Sequence, residues 1–306
     1  MNNAEIITAK GYNRNKANEV FEHLDIIDAT KAEYQRRLTL FLDYVEAEEL
    51  TINTFLNYKR LLGNRENLSV SSRNKYLTAA RIFMRELHRR GVMPMDITLN
   101  VRNFRQDKHH KKDGLTEQEV ELVRDWCYMH VDNFRDVAII CLLFYQGLRQ
   151  AEVCRLNWED ISWRGNVAWI LGKGRDDKEP IYLHPNTMIA LRRMYVMGGL
   201  WKRPRGAMFR SKTCRSQQNR LTTRGLRHMV KKMFAEMYIE GKSTHSFRHY
   251  FATTLLKAYE GNVTEVMQYT RHRSVQMLQI YNNRIIEEAD LPKFFHTFDS
   301  AKLVVD

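Results

Sequence analysis

The sequence predicts a mainly α-helical protein with one small β-sheet, and three observations carry that expectation. Apolar residues recur at helical spacing through the first hundred residues. The period switches to two only around residues 166–183, in VAWILGKG and PIYLHP. Helical spacing then resumes from about Asn186 to the end of the 306-residue chain.

Each element has its own signal. Thr30 with Glu33 forms a capping box ahead of Leu38, Phe41, Leu42 and Val45. A second helix is expected from Thr51 to Leu62, closed by Gly63 and Asn64. A third runs from Ser71 to Arg90 on the stripe Tyr76, Ala80, Phe83, Met84 and Leu87, and Gly91 stops it. From Met93 to Gly114 periodicity is lost. That stretch holds Pro94 and the run RQDKHHKKDG, whose Lys108, Lys111 and Lys112 repel one another unless solvated or paired with phosphate. It reads as a basic interdomain tether. The expected division is a helical domain at 1–107, a linker at 108–114 and a second domain at 115–306. Thr116 and Glu119 make a second capping box, and 134–148 reads as a strongly apolar helix with Phe134, Val137, Ala138, Cys141, Leu142 and Tyr145 on one face. The two strands around GRDDKE form a hairpin or small meander.

Composition narrows the partner. The net charge is +13 and the pI about 9.6, which favours a polyanion, nucleic acid being the commonest. Between Glu179 and Glu236 there is no acidic residue and there are thirteen basic ones. Such a block cannot be neutralised locally, and a phosphate backbone is its natural counterion, a solvated face being the alternative. Cys127, Cys141, Cys154 and Cys214 form no CxxC pair and no zinc spacing, so they read as thiols in a reducing compartment. The N-terminus lacks an apolar leader core, and no run of about 18 apolar residues exists. A cytoplasmic protein without metal, cofactor or membrane partner is expected.

Five scattered residues then form one pattern: Arg149 in GLRQAEV, His245 and Arg248 in THSFRHYF, and His272 and Tyr281 in RHRSVQMLQIY. Taken singly, Tyr281 reads as a core aromatic, His272 as a surface or capping histidine and Arg149 as a surface arginine. Together they are the set that attack on phosphate by tyrosine requires. A phenol is a weak nucleophile with a pKa near ~10. Its attack on a phosphodiester builds negative charge on the non-bridging oxygens, which arginine forks stabilise. The leaving 5′ oxygen needs a proton, which lysine or histidine can supply. His245 and Arg248, three apart, point the same way from a helix whose core stripe is Phe247, Phe251 and Leu255, while Val275, Leu278 and Tyr281 share a face.

These motifs resemble the tyrosine recombinase (phage-integrase-like) family over most of residues 115–285. The two-domain plan looks most like its Xer, transposon or plasmid-resolution group. The resemblance implies a helical core-binding, DNA-clamping domain ahead of a mixed α/β catalytic domain. It implies that Arg149 and Arg248 clamp the scissile phosphate, that His245 assists proton transfer or bonds the phosphate, and that His272 binds a non-bridging oxygen. Tyr281 would be the nucleophile, leaving a 3′-phosphotyrosine and a free 5′ hydroxyl. Lys173 in ILGKGRDDKEPIYL would be the general acid, with Lys178 the runner-up, and Glu152 and Asp160 structural supports. One departure stands out. The family usually has Leu-Gly before the histidine matching His272, and here Thr270-Arg271 occupy those places. Different packing of that turn and an added charge near the phosphate are expected.

Binding elements are expected at two helix starts, Arg73 with Lys75, and Arg220 with Arg224. The apolar tail residues Leu291, Phe294, Phe295 and Phe298 resemble a segment that docks on a neighbouring protomer. The implied assembly is a homo-tetramer on two double-stranded recombination sites, passing through a Holliday junction, with accessory DNA-bending proteins among its partners. Two other readings share the chemistry or the fold: a type IB topoisomerase that relaxes DNA, and a catalytically silent DNA-binding regulator.

Overall fold

The computed structural model describes residues 19–47, 50–106, 114–172, 174–197, 205–212, 219–272 and 274–297. The chain divides into two compact units, Met1–Lys108 and His109–Asp306. The fold is mainly α with one three-stranded sheet. Among the described residues no helix is long and apolar enough to cross a membrane.

The first unit is built on α1 (Asp28–Ala47), α2 (Thr54–Gly63) and α3 (Val70–Arg89). Its core is aromatic. Phe41 meets Tyr58 edge-on at 4.8 Å and Phe83 at 6.5 Å, all three buried together with Phe55. Such pairs add ~0.5–1.5 kcal/mol beyond the burial of each ring. Two expectations change here. Helix α1 begins at Asp28, so Thr30 lies inside it and its capping box does not form; Glu33 instead binds Arg36 and Arg37. The stretch from Met93 is no tether over its described part. Met93 and Ile97 are buried in this core, Val101 and Phe104 pack on it, and Asn74 holds the Phe104 backbone by bonds of 3.1 and 2.8 Å. Irregular chain fixed by side chain–backbone bonds carries no period that a sequence reading can detect. Lys108, Lys111 and Lys112 lie outside the described residues.

The second unit contains α4 (Glu117–Met129), α5 (Phe134–Tyr145), α6 (Gln150–Arg155), then β1 (Ile161–Ser162), β2 (Val167–Leu171) and β3 (Lys178–Tyr182). It continues through α7 (Pro185–Met197), α8 (Thr223–Glu236), α9 (Thr244–Ala258), α10 (Val263–Thr270) and α11 (Val275–Thr297). The Thr116–Glu119 capping box opens α4 as expected. The strands form an antiparallel meander in the order β1-β2-β3, registered at Ile161 with Ala168 and at Leu171 with Lys178. Ala168 and Ile170 point into the core while Trp169 is exposed, the alternation expected of a half-buried strand. Strand β1, two residues long, has no sequence signal.

Apolar burial in this unit forms two clusters. The larger takes in α5, the inner face of the sheet and the front of α9 through Phe247. The smaller consists of Ala252, Leu256, Val266, Leu278 and Tyr281, on the back of α9, α10 and α11. Helix α9 therefore serves both. Burial pushes the Cys127 thiol up to about 12 and those of Cys141 and Cys154 up to about 11. A thiol in that range is no nucleophile at neutral pH.

Candidate active site

Arg149 owes its position to a glycine. Gly147 follows α5 with φ +55°, and a Cβ there would come within 2.3 Å of the Phe251 ring. Only glycine permits that turn against that ring. Arg149 then enters α6 as its N-cap. Glu152 accepts from its backbone N–H at 2.8 Å and from its guanidinium at 2.9 Å. Glu152 itself is buried; burial alone would push its carboxyl up, but Arg271 and Arg149 hold it below the usual carboxylate range.

Arg248 sits one turn along α9 from the exposed His245. It is only 3% exposed. Its guanidinium donates to the Gly147 carbonyl at 2.7 Å and to the Thr270 carbonyl at 2.6 Å, and lies 3.3 Å from His272 Nε2. The Thr270 hydroxyl donates to the Val266 carbonyl at 2.9 Å, so it accepts from His272 Nδ1 at 2.9 Å. That arrangement puts the hydrogen on Nδ1 and turns Nε2 toward Arg248. Tyr281 is buried, and its ring centroid is 6.2 Å from that of His272.

The electrostatics follow from this crowding. Burial pushes the Arg248 guanidinium down to about 9, and the Arg149 charge pushes the same way. Burial raises the Tyr281 phenol above its ordinary value, while Arg248 and Arg149 pull it back. Buried cations that repel one another beside a phenol make a pocket suited to an anion.

The structure thus brings Arg149, Arg248, His272 and Tyr281 together, and His245 is exposed one turn before Arg248 on α9. Lys173 lies outside the described residues; the strands on either side of it pair as expected. Lys178 is committed to Asp160, which removes it as an unengaged donor. Val275, expected on the buried face with Leu278 and Tyr281, is 47% exposed.

The binding positions divide. Arg220 precedes α8 rather than starting it, and its guanidinium is turned inward onto the carbonyls of Cys154 and Leu156 and the side chain of Asn157. It caps the end of α6. Arg73 likewise turns back to the Arg65 carbonyl at 2.8 Å. Lys75 is exposed on the second turn of α3 and Arg224 on the first turn of α8. In the basic block, Lys212 is paired with Asp136 at 2.9 Å, whereas Arg192, Arg193, Arg227, Lys231 and Lys232 are exposed. Lys202, Arg203 and Arg215 lie outside the described residues, as do Phe298 and the side chains of Leu291, Phe294 and Phe295.

One residue of the site, and the partners of another, escape sequence reading. The His249 ring packs edge-on against Tyr281 at 4.5 Å. Gly114 lies against it, since a Cβ there would come within 2.8 Å of His249 Nδ1. The only signal was a second histidine in HSFRH. Arg271, expected as an added charge near the phosphate, is instead paired with Glu152 and Glu179, partners far away in sequence.

The fold and the site together define a tyrosine-type site-specific recombinase. The model of the phage integrase family matches residues 114–287, more than half of the chain, and the chain belongs to that family. Tyrosine recombinase XerC of Serratia marcescens is 25% identical over 269 residues, covering 83% of this chain and 84% of the relative. Tyrosine recombinase XerD of Proteus mirabilis is 28% identical over 256 residues, covering 80% and 77%. Among solved structures, the XerH recombinase bound to its palindromic difH substrate in a post-cleavage complex aligns with a TM-score of 0.73 at 16% identity, covering 92% of this chain and 85% of that one. A lambda integrase dimer bound to a COC′ core site gives 0.66 at 12% identity, covering 88% and 75%. At those identities the likeness is one of fold.

Proposed function

We propose that this recombinase cuts and rejoins double-stranded DNA through Tyr281, and that Arg149, Lys173, His245, Arg248 and His272 serve that nucleophile. The Tyr281 oxygen attacks the scissile phosphorus and the bond from phosphorus to the 5′ oxygen breaks. The products are a 3′-phosphotyrosine and a free 5′ hydroxyl. Arg149 and Arg248 hold the non-bridging oxygens; a preorganised donor of this kind contributes ~3–4 kcal/mol in the transition state. His272 Nε2, once protonated, donates to the same oxygens. His245 takes the phenolic proton, and Lys173 gives one to the leaving 5′ oxygen. The second strand is exchanged the same way, through a Holliday junction.

The observation that carries this reading is the Arg248 guanidinium, fixed on two backbone carbonyls and against His272 beside the buried phenol. Lys75, Arg224 and the exposed arginines and lysines of α7 and α8 supply the surface for the DNA backbone. The XerH and lambda integrase structures carry DNA sites. A homo-tetramer on two sites, joined by exchange of C-terminal tails and aided by DNA-bending proteins, is the assembly this chemistry needs to exchange all four strands.

The test is covalent capture. A library of nicked duplexes with randomised sequence is incubated with the protein, and DNA that stays bound in detergent is recovered. Wild type captures duplexes sharing one sequence, and Tyr281→Phe captures none. Capture by Tyr281→Phe would overturn the nucleophile assignment.

A further inference from the structure

The glycine that the family usually places before the histidine is arginine here, and it keeps the backbone geometry a glycine would have. Arg271 caps α10 in the left-handed region, at φ 53° and ψ 40°. That conformation costs a non-glycine residue about 1 kcal/mol, so something must offset it. The side chain supplies the offset. It is 6% exposed, and it donates to Glu152 at 2.8 Å and pairs with Glu179 on β3 at 3.4 Å. The other Glu179 oxygen meets Arg175, in the loop of the same hairpin, at 3.3 Å. Glu152 in turn holds Arg149 at two points. The series Arg175–Glu179–Arg271–Glu152–Arg149 thus runs from the hairpin loop to the proposed phosphate clamp; Arg271 hydrogen-bonds Glu152, while its Nε faces Glu179 as an ion pair without a hydrogen bond, and this middle member is the residue next to His272.

We infer that Arg271 is a positioning residue that ties the β2–β3 hairpin to the phosphate pocket, and that general-acid catalysis from that hairpin depends on the tie. The inference rests on the reading above, in which that hairpin carries the acid. The chemistry fits an ion-pair strut. A turn closed by glycine would leave Glu152 with Arg149 alone and Glu179 with an exposed arginine. Here one buried guanidinium donates to Glu152 and holds its charge against Glu179, drawing both carboxylates to one centre. Three separate pieces of the chain, the hairpin, the start of α6 and the end of α10, are held in one register.

Arg271→Gly separates positioning from folding, because glycine is the residue that conformation favours. Glu179→Gln is the second variant; it cuts only the hairpin arm. Single-turnover adduct formation is measured on a duplex recovered by the wild-type capture described above. It is measured again on the same duplex with sulfur replacing the bridging 5′ oxygen. A thiolate leaves without a proton, so the sulfur duplex does not need the acid. We expect both variants to lose about 10- to 100-fold on the oxygen duplex, part of the ~10²–10⁴ that a positioned acid contributes. On the sulfur duplex they should match wild type. Glu152→Gln should lose rate on both duplexes, since it releases Arg149 as well. Equal loss on both duplexes by Arg271→Gly and Glu179→Gln, or no loss on either, overturns the inference. Failure of the wild-type protein to capture any duplex takes down the functional reading and this inference with it.

Discussion

The two hydrophobic clusters of the second unit differ in size and in what they carry. The larger seats the turn that presents Arg149, the sheet and the front of α9. The smaller, with five buried residues, carries the proposed nucleophile and the segment that ends in His272. Arg248 stands where they meet, donating to the Gly147 carbonyl on one side and the Thr270 carbonyl on the other. The proposed phosphate clamp is therefore anchored in a deep core, while the proposed attacking group rides on a shallow one. Stability follows buried area, so the half that supplies the tyrosine is the half that opens at lower cost.

The strongest way to break this comparison is to cut the tie. Arg248→Gln should reduce adduct formation on the order of 10³-fold and lower the melting temperature, because two backbone carbonyls lose their partner at about 1–3 kcal/mol each. Normal adduct rates in a variant that melts early would leave Arg248 as a structural residue only. Next comes a pair of core truncations read by amide exchange. Phe247→Ala should cost ~3–5 kcal/mol and raise exchange throughout the second unit. Leu278→Ala should cost ~2–5 kcal/mol, with the rise confined to residues 252–285. Equal spread from both would merge the two clusters into one.

A smaller effect is expected from Gly147→Ala. The positive φ and the Phe251 ring both oppose a Cβ, so Arg149 should shift, and adduct formation should fall more than stability does. The smallest effect concerns acid. The Glu152 carboxyl is held below its usual range. Its contribution is fully present above the unfolded value, near ~4.3, and is lost as pH falls through the lower folded value. Glu152→Gln should therefore flatten the acid limb of a melting-temperature profile below about pH 4. An unchanged limb would mean that Arg149 and Arg271 do not stabilise the ionised carboxylate.

How much of this was legible beforehand depended on distance along the chain. The five-residue pattern could be read because each member sits in a short string with its own spacing. The Thr116–Glu119 box could be read because cap and partner are three residues apart. The charge of Arg271 could be read but its pairing could not, since Glu152 and Glu179 lie far upstream. Arg220 misled for a related reason. A basic residue near a helix start suggests phosphate, yet its acceptors are the carbonyls of Cys154 and Leu156 at the end of α6. Thr30 and Glu33 had the right spacing and the wrong position, two residues inside a helix that Asp28 begins.

The guanidinium fork of Arg248 is held by the protein before anything binds. With Arg149 beside it, the resting pocket already has the charge and the donors for a tetrahedral oxyanion. On the proposed assignment, sulfate or phosphate in a storage buffer is expected to take the place of the scissile group. Such ions will raise the melting temperature and slow strand cleavage, so the choice of buffer acts on this enzyme as an inhibitor would.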